Sequence, residues 1–252
     1  MGLFDTAAPV FDFVRDALLS GLPGAAQIAI FAILSAIATM GLYVLFSRQD
    51  AIEEAKQSAK TARKELAEYD GEPEGLAPVA LHSVKASGKH LGLTLWPAFL
   101  ASIPILFVLG WLAVTYSYHP PKPGEALTLH VHPDEAELIA TGLSPVEGKA
   151  GTYTLLWSAE GAELFDGEAN AIATLPGDLT FPVVHQRGWF NIFFGNPLGY
   201  IPEGNAVEAV EFELTAIDYL ELGPGWLGGW EMIYFMLLIA GSLTIKFVFK
   251  VN

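Results

Sequence analysis

Two histidines, His130 and His132, stand two residues apart in the run ALTLHVH, and Asp134 follows. On a strand this spacing puts both imidazoles on one face. Imidazole with carboxylate suits zinc or copper. A third ligand, His119 or His185, would have to complete the set, because no CxxC or HExxH accompanies the pair. The pattern reads first as two surface histidines, with His130 and His132 as weak metal candidates; no cofactor is expected. The chain has no GxSxG, no P-loop and no GxGxxG opening a helix. It has no cysteine, which removes thiol chemistry and disulfides together. Nothing here argues for an enzyme.

A second set of polar residues lies in an unusual setting. Ser35, Thr39, Thr94, Ser102, Thr115, Ser242 and Thr244 fall inside three long, nearly charge-free runs. Ala25–Phe46 and Leu91–Tyr118 carry no charge, and Trp226–Ile245 carries only Glu231. A helix needs about 20 apolar residues to cross a bilayer, so each run is read as a transmembrane helix. Serine and threonine in such helices bond a preceding-turn carbonyl or a neighbouring helix, and on one side of a bundle they make it mildly hydrophilic. Pro104 removes one intrahelical bond and frees the carbonyl of Leu100, which predicts a kink. Trp96, Trp111, Trp226 and Trp230 are placed as interface anchors at the ends of the runs.

Charge sets the expected orientation. Ser47–His90 holds Arg48, Lys56, Lys60, Arg63, Lys64, Lys85 and Lys89. The last span ends in Lys246 and Lys250, which can snorkel to the membrane surface. The positive-inside rule puts Ser47–His90 and the C-terminus in the cytoplasm. His119–Gly225 then lies outside, with 16 acidic and 3 basic residues. That balance excludes a nucleic-acid surface.

The expected organisation follows. Residues 1–24 form an outer interfacial amphipathic segment, with Phe4, Val10, Phe11, Val14, Leu18 and Leu19 on its apolar face. Residues 25–46, 91–118 and 226–249 are the three transmembrane helices, and 250–252 is a cytoplasmic tail. Residues 47–90 form a cytoplasmic coiled-coil segment. There Ile52, Ala55, Ala59, Ala62, Leu66 and Tyr69 are spaced 3, 4, 3, 4, 3, a heptad stripe, and Leu76–His90 can fold back as a shorter second arm. Residues 119–225 form an extracytoplasmic all-β, sandwich-like domain. Its expected strands include ALTLHVH, GTYTLLWSA, ANAIATL, LTFPVV, GWFNIFFG and AVEAVEFELTAIDYLEL.

A span, a cytoplasmic coil, a second span with "LWPAFLASIPILFVLGWL" and a last span introduced by "GPGWLGGWEMIYF" together resemble the three-helix members of the YidC/Oxa/Alb membrane insertase superfamily. These are the archaeal YidC-like proteins (domain-of-unknown-function family 106) and the insertase subunit of the endoplasmic-reticulum membrane complex. The resemblance covers roughly 25–118 and 222–252. It implies a prokaryotic plasma-membrane protein whose bundle holds a hydrophilic groove and whose coil captures clients. Ser35, Thr39, Ser102 and Thr115 would line that groove, Pro104 would shape it, and Arg48 would mark its cytoplasmic mouth. The partners implied are the bilayer and membrane-protein clients, or the subunits of a larger membrane complex. The leading expectation is an insertase-like protein with an outer β domain docking a partner. The alternatives are a non-catalytic accessory subunit that keeps the scaffold, and a membrane-anchored binding or metal-carrying domain.

Overall fold

The computed structural model describes residues 2–220 and 225–251. The chain divides into two compact units. One is Met1–Ile28 with Phe107–Ile233, and the other is Ala29–Leu106 with Tyr234–Asn252. Five α-helices occur among the described residues: α1 (Ala8–Val14), α2 (Gly24–Phe46), α3 (Gln49–Ala67), α4 (Pro73–Tyr116) and α5 (Trp230–Phe249). Three of them, α2, α4 and α5, are long and apolar enough to cross a membrane.

In the second unit, α4 differs most from expectation. The second arm and the second apolar run are one helix of 44 residues, with Pro78, Pro97 and Pro104 inside it and no break at 90. Pro97 and Pro104 sit in the charge-free stretch. In apolar surroundings a broken helix strands several backbone groups, so losing one bond per proline is the smaller cost. Helix α3 packs beside the first half of α4. Its stripe residues Ile52, Ala55, Ala59 and Ala62 are buried, and Leu66 and Tyr69 half-buried. Ala59 and Ala62 cluster with Ala86 of α4, and Arg63 Nε donates to Ser87 Oγ at 3.1 Å. The small alanine side chains let the two backbones approach closely.

The first unit is built around a β-sheet domain. Its strands are β1 (Ala126–His132), β2 (Leu138–Ile139), β3 (Leu143–Pro145), β4 (Thr152–Leu156), β5 (Ala162–Asp166), β6 (Ala171–Leu175), β7 (Val183–Gln186), β8 (Tyr200–Ile201) and β9 (Ala209–Phe212). A six-stranded sheet runs β3-β4-β1-β9-β7-β8 and a three-stranded sheet runs β2-β5-β6. All pairings are antiparallel except β7 with β8. Both sheets feed one apolar core, in which Leu127, Leu129 and Val131 of β1 meet Leu164 of β5 and Leu175 of β6. Alternation in β1 directs those three inward and leaves Thr128 and His130 half-exposed.

One expectation for this unit is corrected. GWFNIFFG is not a strand; Trp189–Ile192 forms a 3-10 turn. Trp189 to Phe194 do not alternate polar and apolar with a period of two, and Asn191 closes a turn by accepting from Gly188 N at 2.8 Å. The 1–24 segment is a 3-10 turn (Leu3–Ala7), then α1, then one π-helical turn (Arg15–Leu19). Its expected apolar face divides: Phe4 and Leu19 are buried, Phe11 and Val14 half-buried, and Val10 and Leu18 exposed. Of the last expected strand, Glu221 and Leu222 lie outside the described residues.

The chain leaves α4 and returns from the β domain as a pair. Tyr118 bridges Ala216, His119 N donates to Thr215 O and Ile217 N donates to Ser117 O, both at 2.9 Å.

Asp166 is buried where β5 turns toward β6. Its carboxylate accepts from Asn170 N and Nδ2, Glu168 N and Asn205 Nδ2. These bonds, Asn170's first, hold its pKa below the usual carboxylate value. A depressed folded-state pKa contributes stability above the unfolded value, about 3.9, that is lost as pH falls through the folded one. Thermal unfolding of the wild type and Asp166→Asn should therefore differ most above about pH 5 and converge in acid; a gap that is constant with pH would contradict this role.

Candidate functional site: a cleft in the helix bundle

Within the second unit, α2, α4 and α5 enclose a cleft of about 360 Å³. Helix α2 contributes Thr39 and Tyr43, α4 contributes Thr94 and Ala101, and α5 contributes Ser242 and Lys246. The cleft is thus walled by three apolar helices and carries three aliphatic hydroxyls, a phenol and an ammonium. Thr94 donates to His90 O at 2.9 Å. The Thr39 hydroxyl is buried and has no hydrogen-bond partner among the described residues. A buried hydroxyl left unsatisfied costs about 1–3 kcal/mol.

The predicted groove residues separate. Thr39 lines the cleft. Ser35 is buried and accepts from the Tyr234 hydroxyl at 3.0 Å, joining α2 to α5. Ser102 turns back on its own helix and donates to Phe99 O at 2.7 Å. Pro104 is half-buried within α4, and Arg48 is exposed at the joint between α2 and α3. Thr115 belongs to the first unit, where it lines a different cleft of about 660 Å³ with Asp5, Asp12, Arg15 and Trp111. Of the charged groups there, Arg15 pairs with Asp12 at 3.2 Å and Asp16 at 2.7 Å, and Asp5 Oδ2 accepts from Gly195 N at 2.8 Å; Asp178 lines the cleft as well.

Lys246 is the cleft residue that sequence reasoning placed elsewhere. A lysine in the last turn of an apolar helix reads as a surface anchor. The signal for another role was its spacing: Ser242 and Lys246 are four apart, hence on one face of α5.

Among the expected anchors, Trp96 is exposed and stacks on Phe99. Trp111 is buried instead, with Nε1 donating to Asp12 at 3.0 Å and the Arg15 guanidinium 5.9 Å from its ring centroid. Trp230 is buried too, donating to Ser117 Oγ at 2.9 Å. The side chain of Trp226 lies outside the described residues. The weak metal candidates share the solvent face of β1. His130 Nε2 meets Glu213 at 2.9 Å, and that hydrogen bond holds Glu213 below its usual pKa. His132 is 4.0 Å from Asp134 and 3.8 Å from Glu211. No group of three metal-ligating side chains occurs among the described residues.

The cleft depends on how closely α2 and α5 pack. A Cβ on Gly241 would stand 3.0 Å from that of Ala36, so a larger residue must push the helices apart. Tyr234→Phe should cost about 0.6 kcal/mol, the average for a hydrogen bond between helices in an apolar setting. Gly241→Leu should cost about 1–3 kcal/mol through overpacking. Denaturant unfolding of the purified chain in detergent measures both, and a milder effect at Gly241 would contradict the close approach. No family model, curated protein or solved structure matches this chain.

Proposed function

We propose that the chain is a membrane protein of the insertase-like kind, which binds other membrane proteins and assists their insertion or assembly. The observation that carries this reading is the cleft lined by Thr39, Tyr43, Thr94, Ser242 and Lys246 between three apolar helices. A charged side chain at the bilayer centre costs about 2.5–3.5 kcal/mol on insertion scales. Hydroxyls and one ammonium, held at the wall of a bundle, offer polar segments of a client a less costly path. The ammonium favours acidic or carbonyl-rich segments over basic ones.

The helical hairpin of α3 and the first half of α4 fits a cytoplasmic coiled-coil arm. Its basic residues, including Lys56, Lys60, Arg63 and Lys85, favour the cytoplasmic side. The acidic β domain then faces outward and serves as the docking platform for a partner.

A second reading is an accessory subunit of a larger membrane complex that keeps the scaffold without the activity. Ser35 and Ser102 favour it, since both hydroxyls are satisfied by packing.

A photocrosslinker at Thr39 or Ser242, in ribosome-bearing membranes of the native host, distinguishes the two. The insertase reading expects adducts with several short-lived membrane proteins, and Lys246→Glu should lower insertion of clients with acidic segments several-fold. Adducts with one stoichiometric partner, unchanged by blocking translation, would favour the accessory subunit and overturn the insertase reading.

A further inference from the structure

We propose that the turn at residues 188–194 enters the extracytoplasmic leaflet of the bilayer beside α4, as a lipid-facing wedge of the β-sheet unit. The proposal rests on the membrane reading above and adds a second, non-helical attachment.

The turn contains Trp189, Phe190, Asn191, Ile192, Phe193 and Phe194, and no residue from 188 to 202 is charged, in a domain otherwise dense in carboxylates. Trp189 is 77% exposed, Ile192 62% and Phe190 52%. Adjacent large apolar side chains rarely stand free in water unless they meet another surface. The turn's polar groups point inward. Asn191, the polar side chain among its six residues, is 7% exposed; it accepts from Gly188 N and donates to Phe194 O at 3.1 Å. Phe193 N donates to Phe190 O, Phe194 N donates to Phe190 O, and Phe193 O accepts from Phe4 N. A turn that bonds several of its own backbone groups and points its large apolar side chains outward leaves fewer polar groups to be desolvated on entering hydrocarbon.

Its position on α4 identifies the occupant. The Phe4 ring lies 5.0 Å from Phe107 of α4, 4.9 Å from Phe194 and 6.1 Å from Phe193. Gly110 lets the turn close on the helix, since a Cβ there would stand 3.1 Å from the Phe194 ring. Phe107 and Gly110 belong to the charge-free run Leu91–Tyr118. At 1.5 Å rise per residue, Phe107 lies about 14 Å along the axis from Tyr116, against a hydrocarbon core about 30 Å thick. The turn is therefore fixed beside a charge-free stretch of α4 whose Gly110 and Trp111 also border the cleft of Asp5, Asp12 and Arg15, and lipid covers the outward Trp189, Phe190 and Ile192.

The chain has no cysteine, so single-cysteine spin labelling of the full protein in phosphatidylcholine nanodiscs tests this directly. Labels at Ile192→Cys and, separately, Trp189→Cys are compared with Phe99→Cys within the span and Leu156→Cys on the exposed edge of the β domain. The proposal expects collisions with a water-soluble nickel chelate at 192 and 189 to fall to the level seen at 99, while oxygen collisions stay high and 156 remains open to nickel. Nickel access at 192 and 189 equal to that at 156 would overturn it. Exclusion of both nickel and oxygen at 192 and 189 would also overturn it, because protein rather than lipid would then cover the turn. Nickel access at 99 as well would place the failure in the membrane reading itself.

Discussion

Tyr116 stands where the ends of several elements of the first unit must be held together. Its hydroxyl donates to Gln27 of α2 at 2.6 Å, and its carbonyl accepts from the Tyr219 hydroxyl at 3.1 Å. Gln27 uses its amide nitrogen to satisfy Leu19 O and Leu22 O, so the turn before α2 is drawn into the same network. Burial pushes the Tyr219 phenol up to about 12, which keeps it a neutral donor across the physiological range. Trp230 reaches Ser117 next to Tyr116 and ties in the start of α5. The junction ties together the start of α2, the end of α4 and the start of α5, next to the β-bridge between Tyr118 and Ala216.

That junction explains why a small β domain can be carried on apolar helices without a disulfide. Its nine strands are short, several of only two or three residues, and such pieces are marginal alone. A core shared by two sheets and antiparallel strands clamped at Ser117–His119 replace covalent staples. The N-terminal segment is part of the same construction, with Phe4 packed among Phe107, Phe193 and Phe194 and Trp111 tied to Asp12.

Much of this was legible in the sequence, for identifiable physical reasons. The three apolar runs stood out because soluble helices need charge on the face they show to water, and these runs have none over two turns or more in any register. β1 stood out because ALTLHVH alternates cleanly. β2, β3 and β8 were missed because pieces of two or three residues carry too little pattern, and β5 because Glu163 and Asp166 within AELFD hide its apolar residues. The 188–194 turn was misread because a run rich in aromatic residues looks like a buried strand until Asn191 is seen to close a turn. Trp111 and Trp230 were read as interfacial because tryptophan at the end of an apolar run usually is; their indole nitrogens instead bond Asp12 and Ser117. Of the predicted groove residues, only Thr39 lines the bundle cleft, because rotation of each helix about its axis decides which hydroxyl faces inward, and that depends on contacts such as Gly241 against Ala36.

For an insertase-like protein the bundle cleft must be a wetted polar surface between apolar helices, open toward the side that carries α3. Ser242 and Ala240 lie two residues apart on α5 and so on opposite faces, one lining the cleft and the other exposed. The most direct measurement is the rate at which a membrane-impermeant maleimide modifies Ser242→Cys and Ala240→Cys in sealed, inverted vesicles. A wetted cleft predicts rapid modification at 242 and little at 240. Equal inertness at both positions would mean a dry, closed bundle and would contradict it.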